Sequence, residues 1–175
     1  MKIRLAIPED VPGILELLRQ VGQVHYNGRP DIFRDNAQKY GPSQVLSMLG
    51  KRETPILVAY ERKKVLGYCM MQIQSYYRDT VIRDHTTCYI DDLCVDEKAR
   101  GKHIGTALYE AAVALAKEQG CADITLNVWT LNESAMKFYE KLGLKPRKIT
   151  MEQTLQECRM QKDLGSPSGG AGKNP

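Results

Sequence analysis

The stretch from residue 91 to residue 112, DDLCVDEKARGKHIGTALYEAA, limits the fold more than any other part of the chain. It passes from an acidic, apolar segment through a basic turn containing Gly101 and Gly105 into an alanine-rich helix. At such a junction the first N–H groups of the helix lack partners, and the helix dipole favours an anion, usually a phosphate. The turn is therefore predicted either to bind phosphate or to be a tight bend whose glycines serve geometry alone.

The spacing of the turn excludes two known phosphate loops. It lacks the lysine that follows the second glycine of a P-loop, and its glycines do not form GxGxxG. Arg100, Lys102 and His103 place basic side chains beside the same N–H groups, and the glycines let the backbone approach a ligand closely. This composition fits a pyrophosphate site.

Hydrophobic periodicity predicts alternating helices and strands along the rest of the chain. Helices are predicted at residues 11–21, 43–49, 104–119 and 132–143. Strands are predicted at residues 3–7, 56–60, 65–77, 87–95, 123–129 and 149–155. Gly22 is expected to help end the first helix, and Gly120 to follow the third. This order predicts a three-layer α/β or α+β domain.

The composition is that of an ordinary globular domain, with 42% apolar and 26% charged residues among 175. One domain is predicted over residues 1–160, followed by a disordered tail, 161–175, that is rich in Gly, Ser and Pro. The net charge of +4 is scattered, so no nucleic-acid partner is expected. No apolar run is long enough for a membrane span or a signal peptide, so a cytoplasmic location is expected.

Cysteine and histidine spacing predicts neither disulfides nor a metal site. The five cysteines include no CxxC pair and mostly lie in apolar runs, where a thiol behaves as a small hydrophobe. The three histidines are far apart and have no ligand spacing around them.

A second segment, NESAMKFYEKLG, runs from Asn132 to Gly143 and places Tyr139 beside a packed helical face. Together the two segments resemble the GNAT (Gcn5-related N-acetyltransferase) superfamily. Its turn, R-G-x-G-I-G-x-x-L, is matched by residues 100–108. Its later motif, N-x-x-A-x-x-F-Y-x-x-L-G-F, is matched by residues 132–143, and Leu144 stands at the final position of the motif. His103 replaces the usual middle glycine. The phosphate site is expected to survive if His103 keeps an ordinary right-handed conformation, and its imidazole is expected to face solvent.

The resemblance covers about residues 1–155 and implies a mixed, mostly antiparallel sheet with one splayed pair of parallel strands, flanked by helices. In this family acetyl-CoA lies between the splayed strands, against the strand before the turn and the turn itself. The residues that the resemblance assigns to acetyl-CoA are Leu93, Cys94, Val95, Arg100, Gly101, Lys102, His103, Ile104, Gly105, Thr106, Asn132 and Ser134.

The resemblance also implies catalytic roles. Tyr139 matches the tyrosine that protonates the coenzyme sulfur, although a core tyrosine would fit the same helix, and a backbone N–H near Leu93 is the expected oxyanion donor. Asp91 and Asp92 match a Glu-Asp pair of polyamine acetyltransferases, with Asp91 as base and Asp92 as substrate anchor, or the reverse. In a regular strand these neighbours face opposite sides, so only a bulge or the splay brings both to the cleft. One exposed and one structural acid is the alternative.

The acceptor pocket is predicted from side chains that combine flat surfaces with polar tips, each of which fits a core position equally well. These candidates are Tyr26, Asp31, Phe33, Tyr76, Tyr77, Asn127 and Trp129. The predicted reaction is direct acetyl transfer to a primary amine, a small cationic one, because no histidine is placed to activate Cys94 as a nucleophile. A protein or peptide N-acetyltransferase and a non-catalytic acyl-CoA-binding regulatory module are the alternatives. The sequence leaves open whether the chain forms a homodimer.

Overall fold

A computed structural model describes residues 1–155, in which one open sheet has helices on both faces. Its strands are β1 (Lys2–Leu5), β2 (Ile56–Glu61), β3 (Lys64–Tyr76), β4 (His85–Val95) and β5 (Asp123–Leu126), side by side in that order. Its helices are α1 (Val11–Gly28), α2 (Pro42–Met48), α3 (Ile104–Glu118) and α4 (Glu133–Lys141). The predicted three-layer fold is confirmed.

Each face of the sheet has its own apolar core. Helix α1 contributes Ile14 and Leu18 to a buried cluster that also contains Tyr68 and Met70, and α2 contributes Val45. On the opposite face, α3 packs on residues of β2, β3 and β4; this second cluster includes Leu57, Cys69, Met71, Cys88, Ile90, Leu108 and Ala112. The alternation of strand side chains therefore separates the α1 face from the α3 face.

The last two strands form the splayed pair. β1 to β4 pair antiparallel, whereas β4 and β5 pair in parallel from Thr87 and Asp123 to Ile90 and Leu126. β5 ends at Leu126, shorter than the predicted 123–129, while β4 continues to Val95. The backbone of β4 beyond Ile90 therefore has no strand partner on its β5 side among the described residues.

Helix α1 runs to Gly28, seven residues longer than predicted, so the assignment of Gly22 as a helix end is wrong. A Cβ at residue 22 would clash with the carbonyl oxygen of Ala37. This glycine permits a close crossing of the following loop over the helix. Gly120 and Gly143 have positive φ angles and follow α3 and α4, as the glycine pattern predicts.

The predicted strand at residues 149–155 is wrong. The chain divides into one compact unit, Met1–Lys145, and a second that begins at Pro146, and residues 146–155 contain no helix or strand. Ile149, Met151 and Leu155 are exposed. Alternating apolar residues form a strand only when a neighbouring strand completes the ladder. The predicted domain end at residue 160 and the predicted tail, 161–175, lie outside the described residues.

No helix in the described part of the chain combines the length and the apolar character needed to cross a bilayer.

Candidate active site

A bulge in β4 brings the two adjacent acids to one face of the sheet. The register with β3 shifts between the pairs Met70–Asp92 and Met71–Ile90, so Asp91 is an extra residue in β4. Both carboxylates then lie on the α1 face. Tyr40 donates a hydrogen bond to Asp91 Oδ2 over 2.9 Å, and Tyr68 donates one to Asp92 Oδ2 over 2.8 Å. The bulge that was expected to bring both acids to the cleft is thus present, at the point where β4 and β5 separate.

The surroundings of Asp92 make its carboxylate more basic than that of an ordinary aspartate. Burial raises the pKa of Asp92 above its ordinary value, and the hydrogen bond from Tyr68 and the charge of Lys39 only partly oppose this. Tyr68 is fully buried, and burial together with the nearby Asp92 raises the pKa of its phenol well above the usual range. The phenol therefore stays protonated and keeps donating to Asp92. A carboxylate with a raised pKa accepts a proton from an ammonium group more readily.

Asp91 is held by three side chains from outside β4. The ammonium of Lys39 lies 2.8 Å from its Oδ2, Gln72 donates to its Oδ1 over 3.2 Å, and Tyr40 donates to Oδ2. Burial and the Asp91 hydrogen bond raise the pKa of Tyr40 to about 12. Lys39 and Tyr40 come from the loop before α2, and sequence reasoning misses both because their contacts with Asp91 span about fifty positions.

Helix α4 carries Tyr139, whose phenol is close enough to Asp92 to be affected by its charge. Burial raises the pKa of Tyr139 strongly, with further contributions from Cys69 and Asp92, so the phenol is protonated at neutral pH. Its ring packs against Phe138, whose own ring covers Gly105 of α3; a Cβ at residue 105 would lie 3.2 Å from Phe138 Cζ. Gly105 thus makes room for α4, a role that the phosphate-loop interpretation does not include.

The start of α4 is capped by its own sequence. Asn132 Oδ1 accepts a hydrogen bond from the Ala135 N–H over 3.1 Å and another from the Ser134 hydroxyl over 2.9 Å. Asn132 therefore has a structural role as N-cap. The predicted contacts of Asn132 and Ser134 with the coenzyme stay predictions.

The start of α3, in contrast, has no side-chain cap. Its N–H groups face the exposed turn at residues 101–103, where Gly101 has a φ of +78° and His103 a φ of +58°. The expected right-handed conformation of His103 is therefore wrong: the residue adopts a left-handed conformation, with a φ of +58°. Left-handed residues within a turn orient successive N–H groups toward one concave side, which suits an anion. The turn and the uncapped helix start fit a diphosphate.

Asp96 stabilises the backbone just before this turn, a role that the sequence analysis does not identify. It is almost fully buried, pairs with Lys64 over 2.7 Å and accepts from the Lys98 N–H over 3.1 Å at the start of the short 3₁₀ turn Glu97–Ala99. The bond with Lys64 is the main reason that the pKa of Asp96 is lowered. Asp is a preferred N-cap residue, so an Asp directly after a strand could have indicated this role.

Replacement of His103 by glycine is expected to stabilise the fold. A left-handed conformation costs an ordinary L-residue about 1–2 kcal/mol, whereas glycine adopts it freely but loses about 0.5–1 kcal/mol in entropy. We expect His103→Gly to raise the free energy of unfolding by up to about 1 kcal/mol, measured by urea denaturation. Lys102→Gly is the matched control, because Lys102 has no positive φ and glycine there should destabilise. Equal losses in both variants would contradict the strain at His103.

Two of the predicted acceptor residues lie in one aromatic cluster. The Phe33 and Trp129 rings pack edge to face with centroids 5.1 Å apart, and His25 lies 4.9 Å from Phe33. Burial, with a smaller contribution from Lys39, lowers the pKa of His25, so its ring is neutral at physiological pH. The sequence analysis misses His25 because it ends α1 too early. His25 lies seven residues after Leu18 and continues the apolar stripe of that helix.

The other predicted acceptor residues do not join this cluster. Asp31 is bound by the guanidinium of Arg29, Tyr76 stacks on His85, and Tyr77 is exposed. Asn127 donates to the Tyr89 hydroxyl over 3.2 Å. Tyr26 is half-buried on α1. Their roles toward an acceptor stay predictions.

Within residues 1–155, no three His, Cys, Asp or Glu side chains are grouped so as to hold a metal ion.

Comparison with known proteins gives the family of the chain. The profile of the Acetyltransferase (GNAT) family matches residues 22–144, well over half of the chain. N-alpha-acetyltransferase 30 of Schizosaccharomyces pombe is 34% identical over 86 residues, which are 49% of this chain and 54% of that protein. Thialysine N-epsilon-acetyltransferase of Bos taurus is 29% identical over 77 residues, 44% of this chain and 45% of that protein. The chain thus spans about half the length of these curated relatives.

A solved structure matches more of the chain. A mutant form of the BH1408 protein from Bacillus halodurans is 34% identical, with a TM-score of 0.85 over 89% of this chain and 100% of that one. The sequence profile, the relatives and the fold all lead to the same assignment. The chain belongs to the GNAT acetyltransferase family.

Proposed function

We propose that this protein transfers an acetyl group from acetyl-CoA directly to a primary amine, and that the acceptor is a small cationic amine. The observation that carries the proposal is the β4 bulge, which sets Asp91 and Asp92 side by side on one face where β4 and β5 separate. A primary amine is protonated at neutral pH and must lose a proton before it attacks a thioester. A carboxylate in the cleft can bind that ammonium and then remove its proton.

The environments of the two acids favour one division of labour. Asp91 is paired with Lys39 and accepts hydrogen bonds from Tyr40 and Gln72, so both of its carboxylate oxygens already have partners. Asp92 has one side-chain partner, Tyr68, and a raised pKa. We therefore assign Asp92 as the base, the role that the second of the two arrangements gives it, whereas Asp91 is held by Lys39 and is not free to anchor the acceptor.

The chain's own residues fit the donor as well. Acetyl-CoA supplies the acetyl thioester. The turn from Arg100 to Thr106 would hold its diphosphate through the uncapped N–H groups of α3, and the open backbone edge of β4 from Leu93 to Val95 would hold its pantetheine. Tyr139, protonated at neutral pH, would give its proton to the leaving sulfur.

Direct transfer is favoured over an acetylated cysteine. Burial raises the pKa of the Cys94 thiol to about 12, and its Sγ contacts the Leu17 carbonyl oxygen at 3.6 Å. A buried, protonated thiol is a poor nucleophile.

A peptide amine is the second candidate acceptor. It is favoured by the likeness to N-alpha-acetyltransferase 30, whose name gives an α-amine as its target. The cluster of His25, Phe33 and Trp129 offers a flat apolar surface for a first side chain.

The test is coenzyme A thiol release from acetyl-CoA across a panel of alkyl amines, amino acids and peptides, with acetylated products identified by mass spectrometry. Acetyl-CoA binding is measured separately by calorimetry. Acetylation of an alkyl amine in preference to peptides supports the proposal, and preference for a peptide N-terminus selects the second candidate. Binding of acetyl-CoA with no acetylated product anywhere in the panel would replace both with a regulatory acyl-CoA-binding module.

A further inference from the structure

The carboxylate of Asp91 is occupied by a cation that the chain itself supplies. Lys39 Nζ lies 2.8 Å from Asp91 Oδ2 and donates to the backbone carbonyl of the same residue over 2.9 Å. The Asp91 side chain is 9% exposed, whereas that of Lys39 is 43% exposed and reaches the site from the solvent side. The ammonium of Lys39 thus binds both polar groups of the bulge residue.

The charged groups at the bulge sum to one net negative charge, which one further cation would neutralise. Asp91 and Asp92 are the two acids of the bulge, and Lys39 is a cation that acts on both. Nearby His25 carries no charge at physiological pH, because burial and Lys39 lower its pKa. When both acids are ionised, two carboxylates and one ammonium leave one net negative charge, located at Asp92.

We infer that Lys39 is a built-in selector that restricts the acceptor to amines with one positive charge near the reacting nitrogen, and this inference rests on the proposed function. A diamine that presents its first nitrogen to Asp92 brings its second ammonium close to Lys39, and the carboxylate that would balance it is already paired. Like charges about 6 Å apart at a protein surface repel strongly enough to change an equilibrium by about tenfold to a hundredfold. A monoamine meets no such repulsion.

Butylamine and putrescine form the matched pair of probes, because they share a four-carbon chain and differ by one ammonium group. The ratio of their kcat/KM values is measured for the wild type, for Lys39→Met and for Lys39→Arg. We expect the wild type and Lys39→Arg to prefer butylamine, and Lys39→Met to lower that preference by about tenfold or more. Lys51→Met, at an exposed lysine outside the site, should retain the wild-type ratio.

A binding measurement supports the kinetic one. Calorimetric titration of each amine into the protein with free coenzyme A gives the ratio of dissociation constants without turnover, and circular dichroism checks that each variant is folded. Equal use or equal binding of the two amines by the wild type would overturn the inference. The inference would also be overturned if Lys39→Met changed kcat/KM for both amines by the same factor, because Lys39 would then block the site without discriminating between them.

The outcomes separate this inference from the proposed function. If the wild type acetylates no amine, the proposed function fails, and the binding ratio alone decides the role of Lys39. If the wild type acetylates butylamine but Lys39→Met leaves the ratio unchanged, the proposed function stands and the selector fails.

Discussion

Tyr139→Phe is expected to lower kcat by about a hundredfold or more, while the dissociation constant of acetyl-CoA changes little. The phenol is protonated at neutral pH because burial raises its pKa, so it can supply a proton to a thiolate leaving group. Phenylalanine keeps the ring that packs against Phe138 and removes only the hydroxyl. Stopped-flow or steady-state turnover with the best amine of the panel, combined with calorimetry of acetyl-CoA, measures both quantities.

Tyr109→Phe is the matched control for this experiment. Tyr109 is also a buried tyrosine whose pKa is raised by burial, but it lies within α3 and has no role in the proposed transfer. We expect its turnover to stay within a few-fold of the wild type. If the two variants lose activity equally, or if Tyr139→Phe also loses acetyl-CoA binding, Tyr139 is a packing residue and not the acid.

Asp92→Asn is expected to lower kcat/KM by about 10²- to 10⁴-fold at neutral pH, because the amine then loses its proton acceptor. The deficit should shrink as the pH approaches the amine's own pKa of about 10.4, where free base forms in solution. In the wild type, activity should rise with pH through the raised pKa of Asp92. That acidic limb should be missing from the variant, so a pH profile from acid to alkaline conditions distinguishes the two.

Stability provides an independent check on Asp92. A carboxyl group whose pKa rises on folding costs stability once the pH exceeds its unfolded value of 3.8, and costs nothing when both states are protonated. Asp92→Asn should therefore unfold at equal or higher denaturant concentration than the wild type at neutral pH. The advantage should vanish as the pH falls below about 4. A variant that is inactive and also less stable at neutral pH would contradict a base role and indicate a structural acid.

The helices that carry the two glycine-containing motifs could be predicted from the sequence. Each is local: the turn at residues 100–108 and the helix at residues 132–143 need only short-range spacing to be identified, and both occur as helix starts in the structure. The order of strands and the splay follow from the same resemblance. Local sequence patterns mispredict positions whose role is a contact with a distant residue. Gly22 is an example, because its missing Cβ leaves space for the carbonyl oxygen of Ala37.

The electrostatic state of the acids could not be read from the sequence. Two adjacent aspartates look alike in a strand, and the bulge that separates their roles depends on the register with β3. The partners that distinguish them, Lys39 for Asp91 and Tyr68 for Asp92, are 52 and 24 positions away along the chain. No short motif encodes such contacts, because the first arises where the loop before α2 lies against β4 and the second from the pairing of β3 with β4.

The contact between Phe138 and Gly105 couples the position of the first turn of α3 to that of helix α4. Because the Phe138 ring rests directly on the first turn of α3, any sideways displacement of that turn must move the neighbouring Tyr139 with it. Chimeras built from related enzymes should therefore exchange these two segments jointly. A graft that takes only one would misplace the Tyr139 hydroxyl relative to the turn.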